Sequence, residues 1–176
     1  LMRPGTIAVI RSTVVPGTCE KLQAMFPDIK VCHCPEFLTE KNAWGDFQHP
    51  WIQIVGGPED AASEIIALLP MAPKRALVTT TQAEWIKHAT AGFLSTKVSW
   101  FNQLYDALQD DFEPVAEVMR QDPRIGSSHS NVLQDGYRGW GGKCFTKDTP
   151  AFAKASGMPI MLEVVDYNRE LIKEKK

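Results

Sequence analysis

The chain has 176 residues, 44% of them hydrophobic and 23% charged, which is an ordinary globular composition. A net charge of −2 and the lack of a basic patch interleaved with aromatic residues argue against nucleic acid as a partner. No apolar run approaches the roughly 20 residues of a membrane span, and Arg3, Pro4 and Gly5 interrupt the opening, so neither a membrane partner nor a signal peptide is expected.

In chain order, "TIAVI" from Thr6 to Ile10 reads as a buried strand and "VVPGT" as a turn. A strand this close to a non-Met start reads as the middle of a domain, so the chain is expected to be truncated or naturally shortened. Thr18 is a candidate cap for a short helix, "CEKLQAMF". "IKVCHC" and "WIQIV" read as the next strands. Pro58 then opens a helix, "PEDAASEIIALLP", at its first position, with acids in the first turn. "ALVTT" is a fourth strand. Strands alternating with helices indicate an α/β unit with a mainly parallel sheet. After Thr81 the pattern changes. "QAEWIKHATAGFLSTKVSWFNQLYDALQ" holds one glycine, Gly92, and no proline, and its apolar residues cover much of the circumference. A helix of that length spans roughly 40 Å, long for so small a domain, and is expected to pack against a second subunit. "EPVAEVMRQ" is a further helix, followed by a polar connection. "PAFAKASG", with Thr149 as cap and Gly157 as stop, and "PIMLEVVDYNRELIKEKK" close the chain. The expected boundary puts a partial α/β domain at 1–81 and a helical domain at 82–176.

The four cysteines are Cys19, Cys32, Cys34 and Cys144. Cys32 and Cys34 share one face of a strand, with His33 on the other. No second cysteine pair or histidine pair completes a zinc site, so no metal is expected. Sparse, uneven cysteines suit a reducing compartment, the cytoplasm. "GWGGKCFTKDTP" at 139–150 is the most informative stretch. A phosphate loop would need glycine where Tyr137 stands and a hydroxyl where Cys144 stands. Two readings remain open: a reactive thiol among Lys143, Lys147 and a nearby helix start, or a small buried residue at a helix start. Gly141 and Gly142 leave room for a substrate to approach the backbone.

"GWGGKCFTKDTPAF" resembles the active-site signature of the UDP-glucose/GDP-mannose dehydrogenase family, G-x-G-G-S-C-F-x-K-D. "RSTVVPGT" resembles that family's S-T-V-P-x-G-T turn. "CPEFLTEKNAWGDFQHPWIQIVGG" is similar to its N-P-E-F-L-x-E-G segment, and "EWIKHATAGFLSTKVSWFNQL" to its long central helix. "DPRIG" matches D-x-R-I-G. These five segments occur in family order along nearly the whole chain.

The resemblance implies the C-terminal part of a Rossmann-like NAD-binding domain followed by an all-helical central dimerisation domain. It implies NAD-dependent, four-electron oxidation of the C6 alcohol of a nucleotide sugar, UDP-glucose above all, by a homodimer. Cys144 takes the place of the nucleophile that forms the thiohemiacetal and thioester. Lys87 takes that of the oxyanion-stabilising lysine, Asp148 and Thr13 those that hold the hydrolytic water, and Glu36 that of the general base. Phe37, Leu38, Glu40, Gly141 and Phe145 fall at substrate positions. Arg124 falls where an arginine reaches the neighbouring subunit's site, and Ser12 and Lys147 where the cofactor is contacted. His33, His49, His88 and His129 match no catalytic position and read as surface or packing residues.

The chain also departs from the pattern. The glycine-rich cofactor fingerprint is expected upstream of Leu1, and a further C-terminal domain downstream. Ala91 replaces an asparagine four residues after Lys87, on the same helix face. Loss of one oxyanion donor costs about 2.7–4 kcal/mol. Cys34 replaces the usual asparagine before Pro35. These changes support an alternative, a catalytically degenerate homologue serving as a dimerisation or binding module. A long-helix hydroxy-acid dehydrogenase, which needs no cysteine, is a third reading.

Overall fold

A computed structural model describes residues 2–134 and 136–173. It divides into two compact units, residues 1–88 and 89–176.

The first unit begins with strand β1, Ile7–Ile10, helix α1, Thr18–Met25, and strand β2, Lys30–His33. After a 3-10 turn at Glu40–Asn42 come a short helix α2, Ala43–Gln48, strand β3, Ile52–Gly56, helix α3, Glu59–Leu68, and strand β4, Lys74–Val78. The four strands form one sheet in the order β1-β2-β3-β4. β1 pairs with β2, and β3 with β4, in parallel. The two pairs meet antiparallel at a single position, His33 opposite Gly56. Cys32, Cys34, Val55, Ala61, Ala62 and Ile65 form the core between the sheet and α3. A Cβ on Gly57 would lie 2.5 Å from Cys32 Sγ, so close approach of the backbone to that thiol requires glycine here.

Helix α4, Thr80–Leu108, runs 29 residues and carries the chain into the second unit. Its start is a reciprocal cap: the Thr79 N–H donates to Gln82 Oε1 at 2.9 Å, and the Gln82 N–H to Thr79 Oγ1 at 3.1 Å. A 3-10 turn at Gln109–Asp111 leads to α5, Phe112–Gln121. A hairpin of two-residue strands follows, β5 at Leu133–Gln134 and β6 at Tyr137–Arg138. Helices α6, Gly142–Ser156, and α7, Pro159–Lys173, complete the unit. Phe101, Phe112, Ala116 and Val132 form one core. Met161, Val164, Val165, Asn168 and Leu171 make the buried stripe of α7 at helical spacing. A Cβ on Gly92 would lie 2.4 Å from the Phe152 ring, so α4 and the buried face of α6 meet at that glycine.

Several sequence expectations shift. Thr18 lies inside α1 rather than at its cap; Gly17 holds that position at φ +88°, and the Thr18 hydroxyl donates to Val15 O at 2.5 Å. Pro58 precedes the first turn of α3 as its cap residue. The larger change is in α6. Pro150 and Thr149 suggest a helix start, because proline suits a first turn, yet α6 begins at Gly142 and runs through Pro150. Proline removes one helical hydrogen bond. Packing of the apolar residues Phe152 and Ala153 offsets that loss. Thr149 is therefore an interior residue, its Oγ1 buried without a hydrogen-bond partner among the described residues. The short helix at 43–48 was not legible, since it has no side-chain cap and buries no residue.

Candidate functional site

In the first unit the candidate residues gather around the start of α4. Lys87 Nζ donates to the Glu36 carbonyl at 2.6 Å, and its ammonium lies 5.4 Å from the centre of the Phe37 ring. The Glu36 carboxylate faces Arg11 at 3.8 Å. A lysine bonded to the backbone of the Pro35–Leu38 loop fixes that loop to the helix. Glu36 is exposed, and Phe37 and Leu38 are half-buried. The backbone of Glu40 begins the 3-10 turn, but its side chain lies outside the described residues.

Thr13, half-buried, and Ser12, exposed, lie in the turn between β1 and α1. Buried side chains from elsewhere hold that turn. Glu84, fully buried on α4, accepts from the Gly17 N–H at 2.5 Å and from the Cys19 N–H at 2.8 Å. Its carboxylate thus satisfies orphan donors at the start of α1. His88 Nε2 meets Val14 O at 2.9 Å, and His33 Nε2 meets Ser12 O at 3.3 Å. Of the surface and packing readings, His33 and His88 follow the second: both are buried and hydrogen-bonded. Burial pushes the Cys19 thiol up strongly, and the adjoining Glu84 carboxylate adds to the effect.

In the second unit Cys144 occupies the first turn of α6 and is exposed, whereas Cys19, Cys32 and Cys34 are buried. It is not the small buried residue that one reading of the sequence allowed. The loop before it is anchored from two helices. Asn168, buried on α7, accepts from the Trp140 N–H at 2.7 Å and donates to Trp140 O at 3.0 Å. Trp140 Nε1 donates to Ser99 Oγ at 3.1 Å, and Asn102 Oδ1 accepts from the Gly139 N–H at 3.3 Å. Gly139 adopts φ +82°, and a Cβ there would lie 2.5 Å from Asn168 Oδ1. The space that a side chain would take at Gly141 is filled by the Tyr137 hydroxyl, 2.8 Å from an ideal Cβ, whereas that at Gly142 is open. Phe145 sits edge-on to Trp140 and His129, with centroids 6.5 and 5.8 Å apart. Asp148 is buried one turn after Cys144, and Lys147 Nζ lies 3.4 Å from its Oδ1. Arg124 is exposed and paired with Asp122 at 2.5 Å, which holds the Asp122 carboxyl below its ordinary value. Lys97 donates to the carbonyls of Ile125 and Gly126 at 2.6 and 3.0 Å and so secures the turn that carries Arg124.

Sequence reasoning missed Glu84, Lys97, Asn102 and Asn168, and left His88 as a surface or packing residue without its partner. The signal available was polar residues at core positions: Glu84 and His88 are four apart around Lys87, and Asn168 falls in the apolar stripe of α7.

Residues 81–170 match the model for the UDP-glucose/GDP-mannose dehydrogenase family, central domain, and residues 1–69 match that for the same family's NAD binding domain. A UDP-glucose 6-dehydrogenase of Bacillus subtilis is 33% identical, over 96% of this chain and 39% of its own length. One of Haloferax volcanii is 34% identical, over 92% of this chain and 43% of its own length. Among solved structures, a UDP-glucose dehydrogenase from Pyrobaculum islandicum superposes with TM-score 0.79 at 30% identity, over 93% of this chain and 41% of that one. The fold is shared with a UDP-D-ManNAc dehydrogenase from Pyrococcus horikoshii at TM-score 0.81 and 21% identity, over 97% of this chain and 43% of that one. The chain spans about two fifths of the length of these relatives. The expected cofactor, NAD, is the one that the matched N-terminal domain family binds. The first unit fits it in part. Open α/β sheets receive dinucleotides beyond the carboxyl ends of parallel strands, and Ser12 is exposed just beyond that end of β1 with its carbonyl held from behind.

Proposed function

Because the chain belongs to the UDP-glucose/GDP-mannose dehydrogenase family, we propose that it is part of a nucleotide-sugar 6-dehydrogenase that oxidises a C6 alcohol, that of UDP-glucose above all, to a carboxylate. NAD, when bound, supplies the hydride acceptor for each of the two oxidations. Ser12 and Lys147 are the residues that would contact it. Cys144 Sγ adds to the carbon of the aldehyde intermediate, and the Lys87 ammonium stabilises the negative oxygen that results. The second oxidation leaves a thioester on Cys144. Asp148 and Thr13 hold the water that hydrolyses it, and Glu36 accepts a proton directly or through water. Phe37, Leu38, Glu40, Gly141 and Phe145 would lie along the substrate.

The observation that carries this reading is the contrast among the thiols: Cys144 alone of the four is exposed, at the head of a helix behind an anchored glycine loop. Iodoacetamide near neutral pH is expected to label Cys144 ahead of Cys19, Cys32 and Cys34. Cys144→Ala is expected to abolish acid formation from the nucleotide sugar. Acid formation that survives this change would sink the cysteine mechanism, and oxidation of a hydroxy acid left intact by it would favour a hydroxy-acid dehydrogenase.

We also propose a homodimer through α4 and α5, and a cytoplasmic location. Phe93, Trp100 and Val118 are 70%, 47% and 68% exposed on these helices. A groove of about 340 Å³ between them is lined by Phe93, Trp100, Met119 and Ile125. Exposed apolar side chains grouped on one face in this way mark a protein–protein contact. Ala91 in place of the family asparagine favours a second reading, in which this surface is the main function and the chain is a dimerisation module. No helix among the described residues is long and apolar enough to cross a membrane.

A further inference from the structure

Thr13 is flanked by two carbonyls that a strand ladder does not use, those of Ser12 and Val14. Each meets a buried imidazole: Ser12 O meets His33 Nε2 at 3.3 Å, and Val14 O meets His88 Nε2 at 2.9 Å. A carbonyl oxygen only accepts, so each ring carries its proton on Nε2. The other nitrogen, Nδ1, is buried in both rings without a hydrogen-bond partner among the described residues. Neither site therefore offers an acceptor for a second N–H. The two rings come from different elements, His33 from the end of β2 and His88 from α4. His88 lies four residues after Glu84, so both occupy one face of α4. Glu84 takes the next free donors of the same turn, Gly17 N–H and Cys19 N–H.

We infer that His33 and His88 are positioning residues that clamp the backbone on either side of Thr13 through their Nε2–H groups. The clamp is a feature of the fold, and its catalytic meaning rests on the proposed role of Thr13 in holding the hydrolytic water. A hydroxyl that orients a water must be fixed closely, since a displacement of about 1 Å can cost about 100-fold in rate. The groups that face His33 are the Ser12 backbone, Glu84, His88 and Lys87. Burial, chiefly, holds its pKa below the ordinary imidazole value; the Ser12 bond and Glu84 oppose this, and the neighbouring His88 and Lys87 add to it. The ring thus stays neutral at pH 7 and keeps the Nε2–H form that the carbonyl needs.

The test compares His33→Leu and His88→Leu, which remove the donor, with His33→Gln and His88→Gln, whose amide nitrogen reaches the place of Nε2. It reads amide hydrogen exchange in the 176-residue chain without substrate. The leucine variants are expected to speed exchange at the hydrogen-bonded amides of Gly17, Thr18 and Cys19 by about tenfold, the worth of one lost hydrogen bond, with no change beyond residue 89. The glutamine variants are expected to restore protection. Exchange unchanged in the leucine variants, or leucine and glutamine behaving alike, overturns the clamp. Ring-nitrogen NMR on the unaltered chain decides the same point should a leucine variant not fold. An Nε2–H, bare-Nδ1 form in both rings is expected, and an Nδ1–H form in either overturns it. Both measurements are made without turnover, so failure of the proposed reaction does not enter them. In active enzyme the leucine variants are expected to lower kcat by about 100-fold with KM and Cys144 alkylation unchanged. Faster alkylation of the buried Cys19, Cys32 and Cys34 would assign the histidines to general stability instead.

Discussion

Two histidines give the chain a pH dependence that can be worked out from their surroundings. Burial holds His33 below the ordinary imidazole value, and burial followed by the Lys97 charge does the same for His129. In the unfolded chain both take up a proton as the pH falls through about 6.5, whereas the folded chain resists. The unfolded state then binds more protons, so stability is complete above pH 6.5 and is lost as the pH falls toward the folded pKa values. The urea midpoint is expected to drop between pH 7.5 and 5. His129→Asn should reduce that slope, because asparagine accepts the φ of +59° at this position. A midpoint that holds or rises on acidification over this range would refute the assignment. The lowered carboxyls of Asp46, Asp60 and Asp122 act in the same direction, but only as the pH approaches the carboxylate range. None of this was legible from residue type. By residue type His33 reads as a surface or packing residue on the strand face opposite Cys32 and Cys34; the sheet buries both faces of β2.

Among the elements, α1 depends on a residue 65 positions away. Its cap residue, Gly17, has no side chain to cap with, and Glu84 supplies the acceptor for both Gly17 N–H and Cys19 N–H. Glu84→Ala leaves at least the buried Cys19 N–H without its partner. It is expected to cost about 2–4 kcal/mol, given about 1.5–3 kcal/mol for a hydrogen bond to a charged group. Urea unfolding measures this directly, and a loss below about 1 kcal/mol would show that water replaces the carboxylate. Helix α6 teaches the same lesson in reverse. Local preference places a helix start at Thr149 and Pro150, yet the packing of Phe152 and Ala153 and the contact at Gly92 carry the helix back to Gly142. That extension puts Cys144 in a first turn instead of a preceding loop. The element carrying the proposed nucleophile was thus misread locally, although the motif around it was plain.

For the whole molecule, the apolar face on α4 and α5 predicts self-association. Sedimentation equilibrium is expected to give twice the chain mass of 19.6 kDa. Phe93→Glu with Val118→Glu should give the monomer, since burying two unpaired carboxylates in a protein contact costs more than the contact returns. A wild-type chain that stays monomeric at micromolar concentration would remove the dimer from the proposed function. The division into units at residues 1–88 and 89–176 falls within α4. No composition shift marks that point in "IKHATAGF", because a continuous helix keeps its periodicity across it. The end of the α/β pattern at Thr81 is the only boundary the residues themselves display.

Taken by itself, the sequence determined the alternation of strands and helices, the long helix after Thr81, and the family, because periodicity and motif spacing are local properties of the chain. It also singled out Cys144 by its glycine and lysine neighbours. Tertiary structure decided which polar groups are buried together. Glu84, His33 and His88 meet the Ser12–Cys19 turn only after β2 and α4 pack against it, and Asn168 reaches Trp140 across 28 positions. Such pairings cannot be read from spacing. A backbone donor or acceptor removed from water must find a partner wherever the fold brings one, and the fold draws that partner from distant parts of the chain.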